Sequence, residues 1–262
     1  NFYEPMINTK DKIIEYFNSG IKDTKKFKIG IEHEKFLFNN QNNKRIDYKK
    51  IKEMFSALLE FGWNPILEKN NIIGLNKEGK NITLEPGNQI ELSGEKLNNI
   101  HEACAESHDY LFELKQVTKK LDISIVSAGF DPISKLNEIP NNPKQRYKLM
   151  TEKMPAGGEL SLDMMYRTCG TQLNIDYNSE EDFIKKFKIV NSIVPVGGLP
   201  SGSNGGIIQV KQTVKTDTFS QSSVTKNTFS NEKIILIISI LCDTIQICNN
   251  AQRIRTPFSC SK

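Results

Sequence analysis

The stretch "KIGIEHEKFLFN", residues 28–39, sets two glutamates two positions apart inside an otherwise apolar run. Successive side chains of an extended strand alternate between faces. Glu32 and Glu34 therefore project to one side, and Ile29, Ile31 and His33 to the other. A segment this apolar is expected to be buried. Two like charges aimed in one direction from it need a partner.

Two further stretches repeat the pattern. In "NITLEPGNQIELSG" (81–94), Glu85, Gln89 and Glu91 take odd positions against Ile82, Leu84, Ile90 and Leu92, provided the Pro86-Gly87 bend keeps the phase. In 168–177, Gln172, Asn174 and Asp176 share one face, and Cys169, Leu173, Ile175 and Tyr177 the other. Alternation alone describes any antiparallel sheet with one solvated face. Solvated faces usually mix signs, however. Here four glutamates fall on two strands with almost no facing cation. Crowded carboxylates repel and raise one another's pKa. A hard divalent ion with oxygen ligands, such as Mg²⁺, removes that cost.

The other elements follow from periodicity and caps. Thr9 caps a short helix through "KDKIIEYFN", which Gly20 stops. "YKKIKEMFSALLEFG" is helical, with Ile51, Met54, Phe55, Leu58 and Leu59 on one side and Gly62 at its end. "PILE", "NIIGL" and "NITLE" are strands joined by "KNN" and "NKEGK" turns. A long amphipathic helix is expected over 95–121, a strand at "ISIVSAGF" and a helix opening at Pro143. "RTCGTQLNIDY" is a strand, and "SEEDFIKKFKIVNSI" a helix capped by Ser179. This order predicts an α+β fold, a mainly antiparallel sheet with helices packed on one face, and no βαβ repeats.

Composition narrows the function. The chain has 262 residues, 37% hydrophobic and 25% charged, ordinary values for a soluble globular protein. Residues 195–262 carry seven of the 35 basic and three of the 31 acidic residues, so the net charge of +4 arises entirely there. No basic stripe marks a nucleic-acid partner. The longest apolar run, "IILIISIL" at 234–241, is far short of the ~20 residues that span a bilayer. No membrane partner and a cytoplasmic location are expected. Five cysteines without CxxC spacing define neither a disulfide framework nor a zinc site. His33, sharing a face with Ile31, reads as a satisfied, partly buried histidine. His101 and His108 read as flank residues, Cys169 as a buried inert thiol, and Trp63, directly after a helix-ending Gly, as core or a staple.

"GIEHEKFLF", "ITLEPGNQIELSG", "NPKQRYKLM" and "LDMMYRTCGTQLNIDYNSEEDFIKKFKIVNSIVP" resemble, in order, the motifs of the plant and proteobacterial glutamate–cysteine ligases over residues ~10–195. The resemblance implies a glutamine synthetase/glutamate–cysteine ligase-like fold. It also implies Glu32, Glu34, Glu85 and Glu91 as magnesium ligands, with Gln89 beside them. Gln172 and Asn174 match positions facing nucleotide phosphates, Lys144 and Arg146 are candidate anion contacts, and Arg167, with Glu34, is a candidate catalytic residue. The implied substrates are L-glutamate, L-cysteine and ATP, and the implied product is γ-glutamylcysteine, the first step of glutathione biosynthesis. A ligase using another amine acceptor would keep the same carboxylates.

Residues 196–262 are expected to form a separate Gly/Ser/Thr-rich segment with short strands. "GGIIQVKQTVKTDTFSQSS" resembles, more weakly, a segment of marine-phage tail or fibre proteins. The arginine-bearing "R…WTDxDPxR" motif of the ligases is absent. With Asn at position 1, these features lead to the expectation of a truncated or chimeric reading frame. A non-catalytic fusion with a structural tail is then the alternative to a ligase.

Overall fold

A computed structural model describes residues 9–197 and 209–211. The order is α1 (Lys10–Asn18), β1 (Ile29–Asn39), α2 (Tyr48–Leu58), β2 (Asn64–Glu68), β3 (Asn71–Lys77), β4 (Lys80–Leu84) and β5 (Ile90–Ser93). Then come α3 (Ile100–Lys120), β6 (Ile123–Val126), α4 (Gln145–Lys153), α5 (Ser161–Arg167), β7 (Thr171–Ile175), α6 (Glu180–Gly197) and β8 (Gln209–Lys211). The strands lie in the order β2-β3-β4-β5-β1-β7-β8, with β6 on the second half of β1. Every pairing is antiparallel except β7–β8. This is the α+β arrangement that the residue pattern predicts.

β1 is the hub, pairing β5 and β7 through its first half and β6 through its second. The β3–β4 hairpin closes on Glu78 and Gly79, both at positive φ, the two-residue geometry that matches strand twist. On one face of the sheet, Leu37, Ile82, Leu84, Ile90 and Leu92 pack with α2 and α3 into a single apolar cluster. Each large side chain buried there contributes about 1.5–3 kcal/mol, so this face holds the sheet together.

Several expected boundaries shift. The long helix starts at Ile100 rather than 95, because the Asn99 side chain accepts from His101 N and Glu102 N, and Leu97 bridges to Ile29 instead. The helix expected from Pro143 begins at Gln145, and the strand at "ISIVSAGF" ends at Val126. The strand expected from Arg167 begins only at Thr171. Arg167 instead ends α5, whose seven residues are too few for a helical period to declare itself. α6 runs through Gly197, past the boundary expected near 195. Beyond it, Gln209–Lys211 adds a strand to β7. The rest of the expected tail, "IILIISIL" and most of the phage-like stretch included, lies outside the described residues.

Candidate active site

The face of the sheet opposite α2 and α3 carries the acidic side chains. In the β1–β5 register Glu34 stands opposite Glu91 and Glu32 opposite Ser93. Thr83 faces Glu91 across β4–β5, and Gln172 faces Glu32 across β1–β7. Glu85 opens the tight turn joining β4 to β5. The turn is closed by Glu85 N to Gln89 O (2.8 Å) and Asn88 N to Glu85 O (2.9 Å), with Asn88 at φ 61. The phase condition set by Pro86-Gly87 is met at Thr83 and Glu91, so the carboxylates converge.

Burial and crowding keep them from ionising freely. Burial above all, then the charges of Glu85 and Glu91, push the Glu34 carboxyl up to about 8, against a hydrogen bond that would lower it. That bond comes from Gly170 N to Glu34 Oε2 (2.7 Å). Burial, followed by Glu91, raises Glu85 to about 7, with Lys144 and Tyr147 pulling the other way. Glu91, opposite Glu34 across β1 and β5, is one of the groups that raise it. Ser93 Oγ (2.8 Å) and Thr83 Oγ1 (3.4 Å) donate to Glu91 Oε1.

These donors fit a hard divalent ion. Among the described residues no three His, Cys, Asp or Glu side chains form a ready cage. Mg²⁺ at phosphoryl-transfer sites does not need one, because one or two carboxylates, waters and substrate phosphates complete its shell. The Glu34–Glu91 pair, with Glu85 beside it, meets that requirement, and its repulsion is what a 2+ charge would discharge.

The other expected site residues divide. Lys144 and Arg146 lie close enough to Glu85 to lower its carboxyl, and Lys144 Nζ donates to Leu84 O (2.8 Å). Asn174 Nδ2 donates to Glu32 Oε1 (3.0 Å). Gln172 is buried, and its Oε1 has no partner among the described residues. Gln89 is bound to the surrounding backbone. Its Oε1 accepts from Gly87 N (2.8 Å), and its Nε2 donates to Met165 O (3.3 Å) and Thr168 O (3.1 Å). Arg167 is likewise committed, with Nη1 to Asp163 Oδ1 at 2.8 Å and its guanidinium 4.3 Å from the Phe130 ring. In both residues these contacts tie the side chain to neighbouring segments, while the Nε of Arg167 has no hydrogen-bond partner among the described residues.

His33 lies on the helix face, its Nε2 3.2 Å from Ser107 Oγ, and burial drives its pKa down to about 3. Cys169 does not continue the apolar face of β7. It precedes that strand and packs on Phe36 and Phe38, which extend the Glu32–Glu34 face of β1. Sequence reasoning did not single out Tyr147, whose hydroxyl reaches Leu84 O (2.8 Å) and Glu85 Oε1 (3.1 Å). Thr83 and Ser93 were legible from the same alternation as Glu91. The Gly170 N–H, a backbone group, carries no side-chain signal at all.

Comparison with known proteins identifies the family. Residues 28–197 match the model of glutamate-cysteine ligase family 2 (GCS2). Glutamate–cysteine ligase A, chloroplastic, from Oryza sativa subsp. japonica is 39% identical over 223 residues, covering 82% of this chain and 45% of that protein. The chloroplastic enzymes of Medicago truncatula (38%) and Arabidopsis thaliana (37%) align over the same 82% of this chain and over 44% and 42% of their own lengths. The chain thus spans less than half the length of the curated relatives it matches. Among the described residues, no helix is long and apolar enough to cross a membrane.

Proposed function

This chain belongs to glutamate-cysteine ligase family 2, and on that premise we propose that its sheet carries the metal-binding face of an ATP-dependent glutamate–cysteine ligase. The observation that carries the reading is the Glu34–Glu91 pair, set in register across β1 and β5 and joined by Glu85 from the β4–β5 turn. The same reading gives the sheet and its helices a glutamine synthetase/glutamate–cysteine ligase-like fold. The catalytic part extends through α6, and β8 joins its sheet, so the boundary expected near 195 falls inside α6. L-glutamate, L-cysteine and ATP are the partners, in a cytoplasmic setting, whereas the named relatives are chloroplastic.

In the proposed reaction, the γ-carboxylate of glutamate attacks the terminal phosphorus of ATP and ADP leaves. The amine of cysteine then displaces phosphate, forming the amide and releasing a proton. Bound Mg²⁺ would neutralise charge on the transferring phosphoryl group. The chain's own part is placement. Glu34, Glu91 and Glu85, with Glu32 alongside, hold carboxylate oxygens on one rigid surface. The Gly170 N–H and Asn174 orient Glu34 and Glu32. Lys144 and Arg146 supply positive charge at its edge, where anionic oxygens need compensation. Gln172 offers an unpaired buried amide oxygen to a donor or cation.

The test is ADP release by the full chain with Mg²⁺, ATP and glutamate, with and without cysteine. Release is expected to depend on cysteine and to fall about 100-fold or more in Glu34→Gln. Equal release from the variant, or release unaffected by chelation of Mg²⁺, would sink the reading.

A further inference from the structure

Arg45 is a deeply buried cation beside this site. Its side chain is 1% exposed and pairs with Asp131, at 0%, through Nη1 to Oδ2 at 3.0 Å. Burying such a pair costs several kcal/mol per ion, and well-packed apolar residues often do as well for stability. Stability alone therefore gives little account of it, and its contacts indicate another use.

The guanidinium touches three segments that are far apart in sequence. Nη2 donates to Gly87 O, inside the turn that carries Glu85, and Nη1 reaches Tyr166 O at 3.5 Å as well as Asp131. Four residues after Tyr166 comes Gly170, whose N–H binds Glu34. The plane of Arg45 lies 4.6 Å from the Phe36 ring on β1, two residues beyond Glu34 on the same face. Asp131 is held in turn. Its Oδ1 accepts from Ile133 N and Ser134 N, both at 2.9 Å, and its own N–H donates to Arg167 O at 2.8 Å. The turn and the 166 segment meet closely, since a Cβ on Gly87 would lie 3.1 Å from Tyr166 O.

We propose that Arg45 is a positioning residue for the carboxylate site: its buried fork locks the Glu85–Gln89 turn to the 165–170 segment and so sets how tightly the glutamates hold a divalent cation. Arg45 touches none of the glutamates in doing this. A planar guanidinium reaches the three acceptors at fixed angles, whereas a lysine ammonium on a flexible stem cannot hold all three. The inference rests on the reading of the glutamates as metal ligands only for its consequence, not for the lock itself.

The experiment measures two quantities on the full chain and on Arg45→Lys. One is Mn²⁺ affinity by electron paramagnetic resonance, and the other is amide hydrogen exchange at Gly87 and Gly170. The expected result is at least about tenfold weaker Mn²⁺ binding and faster exchange at both glycines, with α2 and α3 amides unchanged. Arg45→Met/Asp131→Asn keeps an acceptor for Ile133 N and Ser134 N, removes the ion pair and guards against simple unfolding. It should melt near the parent temperature and still bind Mn²⁺ at least about tenfold more weakly. Parental Mn²⁺ affinity in either variant, or parental exchange at Gly87 and Gly170 in Arg45→Lys, overturns the proposal. If the parent itself binds no Mn²⁺, the metal reading fails, while the exchange data still decide whether Arg45 forms the lock.

Discussion

The two faces of one sheet are built from alternate residues of the same strands, yet they act on stability in opposite directions. On the helix face Ile31, Leu37, Ile82, Leu84, Ile90 and Leu92 are buried in apolar clusters. One residue away along each strand, Glu34 and Glu91 are pressed together, and burial and repulsion hold Glu34 near 8. One face supplies the free energy of folding, and the other spends part of it to keep charges where a cation can use them. Strain of this kind is expected at functional sites and is offset elsewhere in the fold.

The largest effect should come from the supporting face. Leu92, fully buried against α2 and α3, has Glu91 and Ser93 as its sequence neighbours on the other side. Leu92→Ala is expected to cost about 2–5 kcal/mol in urea unfolding. A loss well under 1 kcal/mol would mean that the helix face is not what holds the sheet.

A smaller effect, of opposite sign, should come from Glu34. Between its ordinary value of 4.5 and about 8, the folded chain holds a proton that the unfolded chain has released. Stability of the metal-free chain therefore falls as pH rises through that window, and Glu85 adds to the fall between 4.5 and about 7. Melting of the chelator-treated chain should move to lower temperature from pH 5 to pH 8. Glu34→Gln should flatten that slope and be more stable than the parent at pH 8 by on the order of 2 kcal/mol. A variant less stable than the parent at pH 8 would show that the carboxylates support the fold rather than strain it.

The contrast between faces also explains what could be read in advance. Period-two alternation exposed both faces at once: Ile31 and His33 against Glu32 and Glu34, Ile82 and Leu84 against Thr83, Leu92 against Glu91. The antiparallel sheet and the carboxylate row were legible for that reason. The scaffold behind the row was not. Arg45 lies in a loop and meets Gly87 and Tyr166 only through tertiary folding. Gln89 keeps strand parity in sequence, but its amide is bound up by Gly87, Met165 and Thr168. α5 is too short to declare its period, so the strand expected from Arg167 gives way to a helix that this residue ends.

The smallest prediction tests whether the faces are independent. Ser107 on α3 meets His33 on the helix face, and its hydroxyl is the polar contact to the His33 Nε2. Ser107→Ala should cost about 1 kcal/mol at pH 7, the usual net value of one buried hydrogen bond. The loss of His33 stability in acid should persist. Because burial lowers His33 from 6.5 to about 3, the unfolded chain takes up a proton there that the folded chain refuses, so stability falls as pH drops through that range. That slope is opposite in sign to the one from Glu34, its neighbour in sequence, because burial disfavours the charged form of each, which is the protonated form of histidine and the deprotonated form of glutamate. Mn²⁺ affinity in Ser107→Ala should stay at the parental value, since the change lies across the sheet from the carboxylates. A weakened affinity would mean that packing under β1 is transmitted through the strand to Glu34, and the two faces would have to be treated as one coupled unit.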